Sequence, residues 1–270
     1  MTQPEHAPAG LIAWYLAMGV DEAVGDQPAD WFARAAPGGK APGRADPRPD
    51  ERIRPPRAAA EPAPSRPSAP APMAARDAGT KAGEAASLEE LEAMAGAFDG
   101  CPLKATAKNL CFARGSEHAR VMLIGEAPGR DEDLQGRPFV GHAGKLLDKM
   151  LAAIGLGEDD VYITNVVYWR PPGNRTPTPQ EVQACRPFLE RQIELVDPDI
   201  LVFLGGAAAK QMFDTSDGIM RLRGKWRTGA FGGKERRAMA TLHPAYLLRN
   251  PSAKRLAWHD LQQIKAALAD

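Results

Sequence analysis

Short apolar runs alternate with amphipathic patterns over residues 87–270. The apolar runs are short enough to be buried strands, and they lie at 120–125, 161–167, 200–205 and 237–242. Apolar residues at helical spacing follow each of them, at 143–155, 179–195, 206–213 and 252–268. A further helix is expected to begin at Ser87, because Ser87-Leu88-Glu89-Glu90 fits a capping box. The alternation predicts an α/β fold, a three-layer sandwich with a four-stranded, mainly parallel sheet.

The N-terminal part of the chain has a different pattern. Residues 1–30 contain apolar side chains at helical spacing between positions 10 and 25, which predict a short amphipathic helix. Such a helix cannot bury its apolar face alone, so it either packs on the main domain or binds a protein partner, and both interpretations remain open. Residues 31–86 are rich in Pro, Ala, Gly and Arg. They lack the apolar side chains that offset the entropy of ordering, about 1–2 kcal/mol per residue, and predict a disordered linker.

Charge and cysteine content exclude several classes of protein. Lys+Arg and Asp+Glu number 34 each, so the chain as a whole has no electrostatic attraction to nucleic acid or to a membrane surface. No apolar run approaches the roughly 20 residues that a membrane span requires. The three cysteines, Cys101, Cys111 and Cys185, form neither a CxxC motif nor an even disulfide framework. We therefore expect a cytoplasmic protein with reduced thiols. Separately, we expect the protein to be a monomer.

Polar and aromatic side chains follow the predicted strands, at the end where open α/β sheets bind ligands. Glu126 and Phe139 follow the first strand, Asn165 lies in the second, and His243 follows the fourth. A phenyl ring offers a stacking face, and a carboxamide offers a donor beside an acceptor, which matches the edge of a nucleobase. An imidazole can donate to an oxygen that gains negative charge as a base departs. If the strands are parallel, these residues line one pocket for a flat, polar ligand.

Two other interpretations compete for the loop after the first strand. Glycines between a strand and a helix often form a phosphate site, but this loop fits neither GxGxxG nor GxxxxGK[ST]. It also contains four acids that would repel a phosphate, namely Glu126, Asp131, Glu132 and Asp133. The second interpretation is a solvated acidic loop, with Asn165 in a turn and His243 in a purely structural position. Four such side chains at strand ends favour a binding pocket instead.

Three segments resemble the family 4 uracil-DNA glycosylases. They read GEAPGRDEDLQGRPFVGHAGKLLD, YITNVVYWRPPGNRTPTPQE and HPAYLLRNPSAKR, and the similarity spans nearly all of residues 87–270. The resemblance implies a base excision repair enzyme that flips uracil out of single- or double-stranded DNA and hydrolyses its N-glycosidic bond. It would leave an abasic site, and the lack of an evident lysine nucleophile in the pocket predicts that the strand is not nicked.

The resemblance also implies roles for particular residues. Phe139 would stack on the flipped uracil and Asn165 would recognise its edge, with Ala127 also in the uracil-binding set. Glu126 and Glu132 would lie in the catalytic loop, where one acid positions water. The departing uracil anion would be stabilised by His243, and the DNA-binding set would comprise Arg175, Pro244, Leu247, Leu248 and Arg249. Either Leu247 or Leu248 would insert into the minor groove.

The sequence departs from this family at its metal site. Family 4 members typically hold a [4Fe–4S] cluster with four cysteines, and only Cys101 and Cys185 align with those ligands. Phe98 and Trp169 occupy the other two positions. Two thiolates cannot supply the usual four ligands, so we expect no cluster and no other cofactor, with Phe98 and Trp169 forming apolar core.

Two other functions compete with base excision. One is a non-catalytic DNA-binding module on the same fold, attached to a repair or polymerase complex. The presence of Glu126, Asn165 and His243 together argues against it, because binding alone does not need that set. The other is a phosphate-ester or nucleotide hydrolase, which the absence of a P-loop lysine disfavours.

Overall fold

The computed structural model describes residues 71–269, with side chains described from residue 78 onward. The predicted helix at 10–25 and the predicted linker up to residue 70 lie outside the described residues. A partner for that N-terminal helix therefore stays a prediction, as does the monomeric state.

The described part of the chain contains nine α-helices and six strands. The strands are β1 (Arg114–Gly115), β2 (Val121–Gly125), β3 (Val161–Asn165), β4 (Ile200–Leu204), β5 (Trp226–Phe231) and β6 (Lys234–Thr241). The longer helices are α1 (Ala71–Glu84), α2 (Leu88–Ala97), α4 (His142–Ala152), α5 (Pro179–Val196), α6 (Gly206–Phe213) and α9 (Lys254–Ala269). Three short helices are α3 (Arg130–Gln135), α7 (Ile219–Leu222) and α8 (Pro244–Arg249).

The strands form one mixed sheet in the order β1-β3-β2-β4-β6-β5. Its central strands β3, β2, β4 and β6 are mutually parallel and correspond to the four predicted strands. The α/β class is thus confirmed, but the strand count of four was wrong. The two added strands are antiparallel edges: β1 has only two residues, and β5 forms a hairpin with β6. Neither contains an apolar run, because both have solvent-exposed positions.

Side chains alternate between the two faces of the sheet and create two separate apolar cores. In β2, Met122 and Ile124 pack into a cluster with residues of α1, α2, α5 and α6. Their neighbours Val121 and Leu123 pack on the opposite face with residues of α4 and α9. This period of two is expected for strands that are covered on both faces, and it gives the three layers that the sequence predicts.

Helix α1 lies where the sequence analysis placed the end of a disordered linker, and that boundary was wrong. Ala78, Ala82 and Ala85 are buried in the same core as α5. The Arg191 side chain of α5 donates two hydrogen bonds to the Ala85 carbonyl oxygen, at 3.1 and 2.8 Å. Alanine gives a weak hydrophobic signal, but its small side chain allows close helix packing and it has the highest helix propensity.

Candidate active site

A cavity of about 440 Å³ opens at the carboxyl edge of the parallel strands. Side chains from the loops after β2, β3, β4 and β6 line it, as expected at this edge of an open α/β sheet. Phe139, Asn165 and His243 all lie on its wall, although more than 100 residues separate the first from the last. Of the other predicted residues, the lining includes Glu126, Ala127, Glu132, Arg175 and Arg249. The predicted Pro244, Leu247 and Leu248 do not line it.

Two glycines leave room for Phe139, one for its ring and one for its backbone. Phe139 has a positive φ of 55°, and a Cβ atom on Gly144 of α4 would lie only 1.7 Å from the Phe139 carbonyl oxygen. A Cβ on Gly125 would lie 2.6 Å from the Phe139 ring and 2.4 Å from Asn165 Oδ1. Glycine at 125 therefore lets the ring and the carboxamide occupy the end of β2, and glycine at 144 leaves room for the Phe139 carbonyl group, because a larger side chain at either position would collide.

Asn165 carries the clearest sign of a binding function. Its side chain is 1% exposed. Neither its Nδ2 nor its Oδ1 atom has a hydrogen-bond partner within the described residues. A buried amide without partners costs free energy, and such groups normally pair with another group. Asn165 lines the cavity, so its carboxamide is positioned to pair with a group that enters it.

The geometry around His243 defines its tautomer. His243 is the N-cap of α8, and its Nδ1 atom accepts a hydrogen bond from the Ala245 backbone N–H at 3.1 Å. In the neutral ring the proton therefore resides on Nε2, which remains available as a donor. The imidazole centroid lies 5.7 Å from that of the Phe139 ring. Gly205, with φ +90°, passes so close that a Cβ there would lie 2.9 Å from His243 Cβ.

Burial, together with the positive charge of Arg249, lowers the pKa of His243 from 6.5 to about 4. Between these two values the unfolded chain binds a proton at this residue and the folded chain does not, so stability falls as pH decreases from 6.5 towards 4. We expect the melting temperature of His243→Asn to fall less steeply with acid than that of the wild type over this interval. Equal slopes in thermal denaturation scans would contradict the lowered pKa.

The two candidate acids occupy different environments. The Glu132 carboxylate accepts hydrogen bonds from the backbone N–H groups of Gly129 at 3.1 Å, Val140 at 3.0 Å and Gly141 at 2.9 Å. These contacts fix the loop that follows Phe139. Glu126 also lines the cavity, and its carboxylate has no hydrogen-bond partner among the residues that the structure describes. Glu126 is therefore the acid that is available to a water molecule or a ligand.

Arg175 is held at the cavity by an acid that the sequence analysis missed. Its guanidinium donates to both carboxylate oxygens of Glu181 on α5, at 2.9 and 2.6 Å. Glu181 is itself the N3 residue of a capping box with Thr178. Hydrogen bonding to Arg175 lowers the pKa of Glu181, although burial opposes the shift. The capping-box spacing in the sequence was the available signal for Glu181.

The two leucines of helix α8 that the sequence left as alternatives for insertion have different environments. Leu247 is 1% exposed and packs with Leu242, Ala253 and Ala257, whereas Leu248 is 45% exposed. Pro244 is buried as the first residue of the helix. Tyr246, which the sequence analysis did not select, is 39% exposed and lines the cavity. Leu248 is therefore the leucine that a bound molecule can contact without unfolding of the helix.

The side chains at the family's metal-ligand positions do not fit a [4Fe–4S] cluster. Cys101 and Cys185 are close together, but Phe98 and Trp169 are both buried in the apolar core. The Phe98 ring packs 5.2 Å from that of Phe188. The third cysteine, Cys111, lies elsewhere and donates to the Glu132 carbonyl oxygen at 3.2 Å. Between residues 71 and 269, no group of three or more His, Cys, Asp or Glu side chains is arranged to hold a metal ion.

We predict that the purified protein contains no stoichiometric iron and lacks the broad absorbance near about 400 nm that iron–sulfur clusters give, because only two of four thiolate ligands are present. Elemental analysis and an absorbance spectrum after anaerobic purification measure this. One cluster per chain would contradict it.

None of the helices between residues 71 and 269 has the length and apolar character needed to span a bilayer.

Known proteins are similar in sequence to this chain. The model of the Uracil DNA glycosylase superfamily matches residues 112–262. The Type-4 uracil-DNA glycosylase of Archaeoglobus fulgidus is 46% identical over 168 residues, which cover 61% of this chain and 84% of that protein. That of Thermotoga maritima is 43% identical over 172 residues, 62% of this chain and 86% of that protein. The Type-4 uracil-DNA glycosylase of Saccharolobus solfataricus is 41% identical over 174 residues, which cover 63% of this chain and 81% of that protein. The resemblance in the three motifs is thereby confirmed, and the chain belongs to the type-4 family of the uracil-DNA glycosylase superfamily.

Proposed function

We propose that this protein excises uracil from DNA by hydrolysing the N-glycosidic bond and that Asn165, Phe139, His243 and Glu126 perform the reaction. Its family membership supports a DNA repair glycosylase that acts on a DNA substrate. The observation that carries the assignment of the site is the buried Asn165 carboxamide, whose two polar atoms lack partners on the wall of the cavity.

Base recognition follows from the hydrogen-bonding groups of uracil. One edge of the base presents a carbonyl oxygen next to an N–H, and Asn165 presents an N–H donor next to an oxygen acceptor. Pairing these edges satisfies both buried atoms of Asn165 at once and removes the cost of leaving them unpaired. The Phe139 ring, which lies 6% exposed beside Asn165, provides the stacking face.

Cleavage places negative charge on uracil and positive charge on the sugar. The neutral His243 donates from Nε2 to the uracil oxygen that gains charge, and this preorganised donor stabilises the transition state more than the ground state. The Glu126 carboxylate stabilises the cationic sugar and orients the attacking water. Glu132 acts as a positioning residue, because its three backbone hydrogen bonds hold the Phe139 loop.

The nucleophile is water, which makes the enzyme monofunctional. The cavity lining that the structure describes contains no lysine, so no amine is placed to form a Schiff base with the sugar. The product is an abasic site in an intact strand.

DNA binding involves the exposed side chains around the mouth of the cavity. Flipping a nucleotide costs a few kcal/mol, and an apolar side chain inserted into the base stack helps to offset this cost. Leu248 has the exposure for that role, and Arg249 lies next to it at the cavity. Arg175 and Arg249 contact phosphates, so affinity decreases as salt increases.

The two leucines of α8 give a matched pair of variants. Leu248→Ala should lower uracil excision from duplex DNA about tenfold and leave single-stranded DNA nearly unaffected, because only the duplex requires unstacking. Leu247→Ala should instead lower the free energy of unfolding by about 2–5 kcal/mol, since it removes a buried side chain. Excision rates on both substrates, with melting temperatures, separate the two effects. An equal loss on both substrates for Leu248→Ala would contradict insertion.

The activity itself is tested with the full chain. The protein is incubated with an oligonucleotide that contains one uracil and with a matched thymine control, and the products are then cleaved with alkali. We expect alkali-dependent cleavage at the uracil alone, and no nick without alkali. Binding without cleavage would favour a non-catalytic DNA-binding module, and turnover of a free nucleotide would favour a hydrolase. Both outcomes would contradict the proposed activity.

A further inference from the structure

Two thiols lie in contact in the core, outside the base-binding cavity. The Sγ atoms of Cys101 and Cys185 are 3.8 Å apart, and the two residues are 1% and 0% exposed. Cys101 precedes the 3₁₀ turn Pro102–Ala105, whereas Cys185 lies within α5. The pair therefore joins two elements that are 84 residues apart in sequence. Neither cysteine lines the base cavity.

The surroundings of this pair are apolar. Phe98 and Trp169 belong to the same buried cluster as the two cysteines, as do Tyr168 and Phe188. Two thiolates leave a metal ion two ligands short of the four that structural zinc and iron–sulfur sites use, and these apolar side chains supply none. A disulfide needs no further ligand. Its formation requires the two sulfur atoms to move from 3.8 Å to about 2 Å apart.

We propose that Cys101 and Cys185 form an intramolecular disulfide when the protein meets an oxidant such as hydrogen peroxide. In the first step one thiol is oxidised to a sulfenic acid, and peroxide is reduced to water. In the second step the other sulfur attacks the sulfenic sulfur, the S–S bond forms, and a second water leaves. Two thiols lose two electrons and two protons in total, which convert one peroxide into two waters.

The third cysteine provides an internal comparison. Cys111 is also buried, but its sulfur donates to the Glu132 carbonyl oxygen, and no second cysteine is its neighbour in the described part of the chain. Burial and the nearby acids Asp133 and Glu132 raise the pKa of the Cys111 thiol to about 12, whereas the hydrogen bond with Cys185 lowers the pKa of the equally buried Cys101 thiol. Peroxide should therefore leave Cys111 as a thiol.

The disulfide is expected to raise the stability of the folded chain. It closes a loop of 84 residues that includes β1, β2 and β3 and anchors the segment before the sheet to α5. Cross-links over long loops stabilise chiefly by restricting the unfolded chain. The oxidised protein should therefore melt several degrees above the reduced protein. This inference does not depend on the excision activity.

The full chain is treated with hydrogen peroxide or with dithiothreitol, denatured, alkylated and analysed by peptide mass spectrometry. Reduced wild type should carry three alkylated cysteines, and oxidised wild type only one, at Cys111. The Cys111→Ser variant should carry none after oxidation. Cys101→Ser should keep Cys185 alkylatable and lose the difference in melting temperature between the oxidised and reduced forms.

Several results would contradict the proposed disulfide. They are alkylation of all three cysteines after peroxide treatment, oxidation of single thiols to sulfinic acid, a disulfide between two chains, and one iron–sulfur cluster per chain. If Cys101→Ser does not fold, the mass analysis of wild type and Cys111→Ser decides the question without it.

Discussion

Replacing His243 with alanine is expected to lower the rate of uracil excision by about 10²–10³-fold, the usual effect of removing a preorganised donor to a developing oxyanion. Affinity for DNA should change little, because the donor acts on charge that appears only in the transition state. Single-turnover excision on a uracil oligonucleotide measures the rate, and binding to uncleavable DNA measures the affinity. His118→Ala, at an exposed histidine outside the cavity, should behave as the wild type.

The alanine also removes the acceptor for the Ala245 N–H at the start of α8, which offers a second explanation for lost activity. His243→Asn separates loss of the helix cap from loss of the donor to uracil, because asparagine is among the best N-cap residues and can accept the hydrogen bond from Ala245 N–H. Relative to His243→Ala, we expect His243→Asn to restore the melting temperature but not the excision rate. Wild-type turnover in His243→Asn would assign His243 to capping, and unchanged turnover in His243→Ala would remove it from the reaction.

The parts of the fold that the sequence predicted are those with strong local patterns. Every position of strands β2, β3 and β4 is buried, so each strand appears in the sequence as a mainly apolar run. Strand β5 is an edge strand in which five of six positions are half-exposed or exposed, and it contains no comparable apolar run. Helix α1 was missed because its stability depends on α5, through buried alanines and the Arg191 contact to Ala85 across 106 residues.

In the site, too, features that follow from local sequence patterns could be predicted, and features that depend on tertiary contacts could not. Phe139, Asn165 and His243 could be placed together because each follows or ends a parallel strand. The difference between Glu126 and Glu132 could not be predicted, since it depends on backbone N–H groups at 140 and 141 that approach Glu132 only in the folded chain. The choice between Leu247 and Leu248 depends in turn on the packing of α8.

Asn165→Asp is expected to reduce excision on the order of 10²–10⁴-fold near neutral pH, as when a hydrogen-bonding site loses its match to a substrate. A carboxylate presents two acceptors, so it still accepts from the uracil N–H but repels the adjacent carbonyl oxygen. Burial raises the pKa of a carboxyl group at such a position. The protonated acid again offers one donor and one acceptor, and the loss relative to wild type should therefore shrink as pH decreases.

Asn174→Asp provides the matched control, because Asn174 also lines the cavity but its carboxamide oxygen is occupied by Arg170 at 2.7 Å. It adds the same charge to the same cavity without altering the edge that faces the base, so its excision rate should fall far less. Excision rates of both variants and the wild type from about pH 5 to 8 make the comparison. Equal losses would attribute the effect to charge alone. A loss in Asn165→Asp that does not diminish with acid would show that Asn165 does not recognise the base through a paired donor and acceptor.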